Sequence, residues 1–181
     1  MKKKALGKVF LCIVVFLAVL VFQGEVPANA ATVVYSYDFE SCSPNWAADN
    51  GVWECGAPIS GPAGAHSGSN VMATVLSGDY PDFTDSRLIS PSTILPSIDI
   101  SANEELRLRF WQWFELWSSR YNSCSGATCW VYIYDYGKVQ ISAETSPGTW
   151  SAWTDISTIT GNSGAWTNTN IDISSYAGQK V

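Results

Sequence analysis

The sequence predicts an all-β protein: an antiparallel two-sheet sandwich preceded by a signal peptide. Three observations carry this expectation. Apolar residues alternate with polar ones over several short runs, Gly-, Pro-, Ser- and Asn-rich turns separate those runs, and no window sustains a helical apolar stripe. The first element in chain order is the leader, residues 1–30. Lys2, Lys3, Lys4 and Lys8 form a basic start, Val9 to Phe22 is an unbroken apolar run of fourteen residues, and Ala28-Asn29-Ala30 supplies small residues for cleavage after Ala30. As a helix the run would span about 21 Å, short of a hydrocarbon core of about 30 Å, so an export leader is expected rather than a membrane anchor. No second apolar stretch follows, and no membrane span is expected after cleavage.

The remainder, residues 31–181, is sized for one domain. With 46% hydrophobic and 13% aromatic residues in the chain, a packed core is expected and disorder is not. From Ala31 onward, six basic residues face fifteen acidic ones, a net charge of −9. Such a surface repels phosphate backbones, so nucleic acid is excluded as a partner. Export also decides how the cysteines read. Cys42, Cys55, Cys124 and Cys129 remain after the leader, an even number in an oxidising compartment. Four cysteines allow three pairings; the local one, Cys42–Cys55 with Cys124–Cys129, is preferred because each pair brackets a short loop. Closing loops of this length stabilises a fold by about 2–3 kcal/mol in the chain-entropy picture. A zinc site is disfavoured by the spacing, since no Cys-x-x-Cys and no second histidine are present.

The strand candidates follow in order: 33–40, 70–76, 86–90 (ended by Pro91), 106–116, 129–136, 138–144 and 166–173. The strongest is 106–116. Leu106, Leu108, Phe110 and Phe114 fall on one face, with Arg107, Arg109, Trp111 and Trp113 on the other. Residues 129–136 alternate again, with Val131 and Ile133 opposite Trp130, Tyr132 and Tyr134. Residues 56–69, 121–128 and 146–148 read as turns or loops.

An ordered series of segments then becomes visible. It runs through Asp38-Phe39-Glu40, Trp46, Val52-Trp53-Glu54-Cys55-Gly56-Ala57-Pro58 and Gly61 to Asn70, then Ala73 to Tyr80 and Ser86-Arg87-Leu88. It continues with Leu108 to Trp113, Gly137 to Ser142, Gly161 to Gly164, Trp166 and Ile171 to Gln179. This series resembles the MAM-like, concanavalin-type jelly-roll domain of secreted bacterial proteins. That domain occurs at the end of immune inhibitor A-type metallopeptidases and in cell-surface proteins with varied anchors. The resemblance implies a jelly roll over residues 31–181, incomplete at its C-terminus, because relatives continue past the Tyr-Ala-Gly-Gln segment into further strands. It also implies a structural calcium ion, with carboxylates from Asp38 or Glu40 and an oxygen from the loop ending at Asn70. Calcium takes six to eight such oxygens.

Catalytic chemistry is sparsely represented. His-Glu-x-x-His and Gly-x-Ser-x-Gly are both absent, and His66 is the only histidine. Its setting in a tight loop favours an imidazole bonded to loop backbone over a catalytic base. Trp111 and Trp113, sharing one strand face, are candidate ligand-binding residues, since exposed aromatic faces stack against sugar rings; the competing reading is core. Residues 121–128, clasped by Cys124 and Cys129, are expected at the surface, where sandwich loops recognise partners. The expectation is therefore a secreted or cell-surface, non-catalytic module for adhesion or recognition, with an extracellular protein or polysaccharide as partner. The alternatives are an accessory domain of an immune inhibitor A-type metallopeptidase and a carbohydrate-binding module.

Overall fold

The computed structural model describes residues 8–12, 18–20, 31–42, 45–82, 84–122 and 130–181. Apart from two 3-10 turns, at Ile100–Ala102 and Ser174–Tyr176, every regular element described is a strand. In chain order these are β1 (Lys8–Cys12), β2 (Ala18–Leu20), β3 (Thr32–Val33), β4 (Ala47–Asp49), β5 (Glu54–Gly56), β6 (Val71–Ala73), β7 (Arg87–Ile89), β8 (Glu105–Glu115), β9 (Ser118–Asn122), β10 (Trp130–Tyr134), β11 (Tyr136–Ile141), β12 (Glu144–Ser146), β13 (Thr149–Trp150), β14 (Thr154–Thr160) and β15 (Thr167–Asp172). All pairings between them are antiparallel.

β8 organises the larger sheet. Eleven alternating residues without Gly or Pro give it the length to pair along both edges. On one edge lies β15, in a register running from Thr167 opposite Gln112 to Asp172 opposite Arg107. On the other edge lie β1, from Lys8 opposite Glu115 to Cys12 opposite Trp111, and β2, from Ala18 opposite Arg107 to Leu20 opposite Glu105. β1 in turn pairs β6, and β6 pairs β5. The smaller ladders β4–β7, β9–β10, β11–β14 and β12–β13 supply the rest.

The two faces of β8 bury different clusters, as the period of two requires. Leu106 packs with Leu95 and Ile173, joined by Leu108 and Ile171 of the larger sheet and Ile156 of β14. This is the sheet-on-sheet interior of the sandwich. On the opposite face, Trp113 packs with Val71 and Ala73, and Ala65, Leu76 and Trp166 close over them. Each fully buried side chain of the size of Leu106 or Phe110 contributes about 1.5–3 kcal/mol of hydrophobic stabilisation. The last residues are tied in by backbone bonds: Val181 and Thr93 exchange N–H···O bonds of 2.8 Å in both directions, and the Glu144 N–H donates to the Lys180 carbonyl at 2.8 Å.

Element boundaries differ from the sequence expectations in physically interpretable ways. The 33–40 run enters a ladder only at Val33, in β3 (Thr32–Val33), and the chain turns a corner at Phe39, which takes a left-handed φ of 61°. Residues 129–144 are not two runs broken at Gly137. β10 ends at Tyr134, and Gly137 lies inside β11, where a Cβ would meet the Ile159 side chain of the paired strand at 2.6 Å. β4, β5, β9, β12, β13 and β14 were not expected, and β9 takes in Tyr121 and Asn122, which the sequence places in a loop. β4, β5, β12 and β13 are too short for periodicity to register, and β9 (SSRYN) and β14 (TDISTIT) are rich in Ser and Thr or other polar residues. The leader segment supplies two strands, β1 and β2.

Candidate functional site

Asp38, Glu40 and Asn70 meet at one corner of the molecule, although thirty residues separate Glu40 from Asn70. The corner begins where Phe39 is buried at 2% exposure and rests edge-on against Trp46, with ring centroids 5.1 Å apart. Tyr37 packs on the same indole at 5.4 Å. With Phe39 held inward, the alternating neighbours Asp38 and Glu40 face outward. The Cys42 N–H closes the turn onto the Phe39 carbonyl at 3.0 Å, and the Cys42–Cys55 disulfide fastens it to β5. Cys42 itself sits at φ 47°. The cystine therefore holds a backbone conformation that an unbraced chain disfavours.

Glu40 then reaches across to the loop before β6. One carboxylate oxygen, Oε1, accepts the N–H groups of Ser69 and Asn70, each at 2.9 Å, and the Asn70 amide Nδ2 donates back to the Glu40 carbonyl at 3.0 Å. Gly68, at φ +64°, is needed twice over: its backbone lies in the left-handed region, and a Cβ there would run into the Glu40 side chain. Asp38 Oδ1 accepts the Glu40 N–H at 3.1 Å. The three residues are hard oxygen donors of the kind calcium takes, but they fall short in number. Two carboxylates and one amide leave carbonyls or water to complete six ligands, and Glu40 Oε1 is already engaged by two N–H groups. Among the described residues, no group of three or more His, Cys, Asp or Glu is gathered as a metal cage.

The second grouping is aromatic and lies over the β8 face that bears Arg107, Arg109, Trp111 and Trp113. Residues 56–69 cross this face as a loop. The Ile59 and Ser60 N–H groups donate to the Leu76 carbonyl at 2.9 and 3.0 Å, and Trp166 Nε1–H donates to the Gly64 carbonyl at 3.1 Å. The His66 ring stacks on Trp111, with centroids 3.8 Å apart and planes 15° from parallel, and meets Trp166 edge-on at 6.2 Å. Aromatic faces carry a negative quadrupole and accept an offset planar partner. Trp113 is only 8% exposed and sits in the core with Val71 and Ala73, whereas Trp111 is half-buried beneath an exposed His66. The pair expected as one platform is thus divided, with one ring inside and one near the surface. Sequence reasoning missed the role of His66 and Trp166, since only the fold brings residues 66, 111 and 166 together.

Of the four expected cystine residues, Cys42 and Cys55 are bonded, with Cα atoms 5.5 Å apart. Cys124 and Cys129, with residues 123–129, lie outside the described residues. Among the described residues, no helix is long and apolar enough to cross a membrane.

Comparison with known proteins places one match beside this geometry. The chain is 30% identical over 152 residues to Bacillopeptidase F of Bacillus subtilis (strain 168), which covers 83% of this chain. The chain spans only 9% of that protein's length. No family model matches the chain, and no solved structure matches it. The similarity is therefore to a domain-sized part of a much longer protein whose name denotes a peptidase.

Proposed function

We propose that this chain is an exported, non-catalytic β-sandwich module for recognition or adhesion outside the cell, one that can also serve as an accessory domain of a larger peptidase. The match to Bacillopeptidase F carries the reading: the similarity covers most of this chain and a small, domain-sized fraction of that protein, as a discrete module would. The stacking of His66 on Trp111 supports a binding role, because it sets an exposed planar ring against an indole and so builds an aromatic surface on which a ligand can pack. The chemistry offered is a half-exposed aromatic patch, made of His66, Trp111 and Trp166, on a disulfide-braced scaffold. Its partner is a polysaccharide or an extracellular protein. Arrays of polysaccharides and surface proteins test this. Binding that falls about tenfold or more in Trp111→Ala, with unchanged melting, supports the patch; equal binding by wild type and variant, or cleavage of any array member, refutes the reading. The tenfold figure corresponds to the 1–3 kcal/mol that one aromatic stacking contact contributes.

A calcium ion at the corner of Asp38, Glu40 and Asn70 is a second reading, favoured by their convergence across thirty residues. Calcium would then raise the melting temperature, EDTA would reverse the rise, and Asp38→Asn would abolish it. Identical melting in calcium and EDTA removes this reading.

A further inference from the structure

The strip of sheet beside the His66–Trp111 stack carries a cation without a counter-charge. Directly opposite residues of an antiparallel pair share a face, so Asn168 and Asn170 of β15 stand beside Trp111 and Arg109 of β8. Asn168 and Asn170 are exposed, and Arg109 and Trp111 are half-buried. Among the basic side chains described, Arg87, Arg107, Lys138 and Lys180 each meet a carboxylate. Arg109 meets none among the described residues, although the chain carries 16 acidic residues against 10 Lys and Arg. The acidic residues at that end of the face both attend Arg107: Glu105 lies 2.7 Å from its guanidinium and Asp172 3.9 Å. Arg109 Nε is enclosed without a hydrogen-bond partner, whereas its terminal nitrogens are not enclosed. A guanidinium keeps its charge at every working pH, and a half-buried charge without compensation costs free energy. One face thus gathers a stacked indole–imidazole pair, the carboxamides of Asn168 and Asn170 and an uncompensated guanidinium.

We propose that this strip binds an acidic polysaccharide, a sugar chain bearing carboxylates, and that Arg109 is the residue that takes a carboxylate. The proposal deepens the recognition reading and rests on it, since it extends the patch of His66, Trp111 and Trp166 along the same strands. A guanidinium fork holds a carboxylate through two N–H groups, as Arg87 holds Asp49 through Nε and Nη2. With its Nε enclosed, Arg109 offers its two terminal nitrogens instead. Asn168 and Asn170 each present donors and an acceptor, the combination that sugar hydroxyls match. The indole and the exposed imidazole give the apolar face of a sugar ring a flat surface to lie on. Charge complementarity at Arg109 selects an acidic sugar over a neutral one. An acidic peptide supplies the carboxylate but neither the row of hydroxyls nor the flat ring, so the saccharide uses more of the strip.

Binding of the full chain to polygalacturonate, alginate and hyaluronan, each beside its carboxyl-reduced form, tests this. At least one acid form is expected to bind about tenfold or more tighter than its reduced form, the effect of one charge-assisted contact. Arg109→Gln is expected to abolish that preference and to leave any binding of the reduced form unchanged. Asn170→Asp, an exposed substitution that sets a carboxylate opposite Arg109, is expected to abolish it as well, by occupying the guanidinium from within. That variant decides the matter should Arg109→Gln fail to fold. Equal binding of acid and reduced forms overturns the proposal, as does a preference that survives Asn170→Asp or Arg109→Gln. Binding of poly-glutamate without binding of any of the three acid polymers, or no binding of any polymer, also overturns it. The underlying reading fails by a different result. If Trp111→Ala leaves every affinity unchanged, the aromatic patch is removed and an acid preference that depends on Arg109 still stands. If binding depends on Trp111 and shows no acid preference, the patch stands and the role of Arg109 does not.

Discussion

Glu40 shows how one carboxylate joins distant parts of the chain. Its Oε1 satisfies two backbone N–H groups that the turn before β6 leaves without ladder partners. An acceptor carrying charge makes such bonds stronger than a neutral one does. Glu40→Ala is therefore expected to lower stability by about 1–2 kcal/mol, and Glu40→Gln, which keeps an acceptor oxygen, by less. Urea unfolding of the two variants checks the order; equal losses would mean that the carboxylate acts by its charge alone and not as an acceptor. Gly68 is the counterpart of Glu40, since its missing Cβ leaves the room that the carboxylate occupies. The sequence identified Asp38, Glu40 and Asn70 as a set by resemblance. It did not reveal the N–H bonds, which depend on the conformation of residues 67–70.

Among the elements, β8 and the Cys42–Cys55 corner carry different kinds of information. β8 was legible because eleven residues of alternation are long enough to average out exceptions, and its bounds moved by one residue at each end. The corner was legible in its pairing and illegible in its shape. A cystine of sequence separation 13 was expected from the short loop it brackets, but the left-handed φ at Phe39 and Cys42 has no sequence signature. Replacing both cysteines with serine is expected to cost about 2–4 kcal/mol, lowering the urea midpoint without altering the β-rich spectrum. A midpoint unchanged under reducing conditions would show that the Phe39–Trp46 packing suffices to hold the corner.

At the scale of the whole molecule, stability depends on pH at both ends of the range. Hydrogen bonds from Lys138 and Gln140 hold Asp155 below the ordinary carboxylate range. The Gly148 N–H and then Lys180 do so for Glu144, and Ser174, with Arg107 nearby, for Asp172. Groups whose folded values are lowered stabilise the fold above their unfolded values of about 4, and that contribution disappears as pH falls through the lowered values. Tyr80 acts in the opposite sense. Burial, then its hydrogen bond to Asp135, raises its phenol above the ordinary value. Its contribution is fully present below pH of about 10 and is lost as pH rises beyond that. Melting temperature is thus expected to be flat near neutrality, to fall below pH of about 4 and to fall again above about 10. Tyr80→Phe should soften the alkaline fall alone; an alkaline limb unchanged in that variant would assign it to another group.

The sequence by itself determined the fold class, the long central strand, the local cystine and the acidic, aromatic-rich character of the surface and core. Each of these follows from short-range patterns: alternation, spacing within a loop, and composition. Only the tertiary structure decided which aromatic residues are buried and which lie near the surface. Trp111 and Trp113 share a strand face and differ in environment because Trp113 meets Val71 and Ala73 while Trp111 meets His66 from the overlying loop.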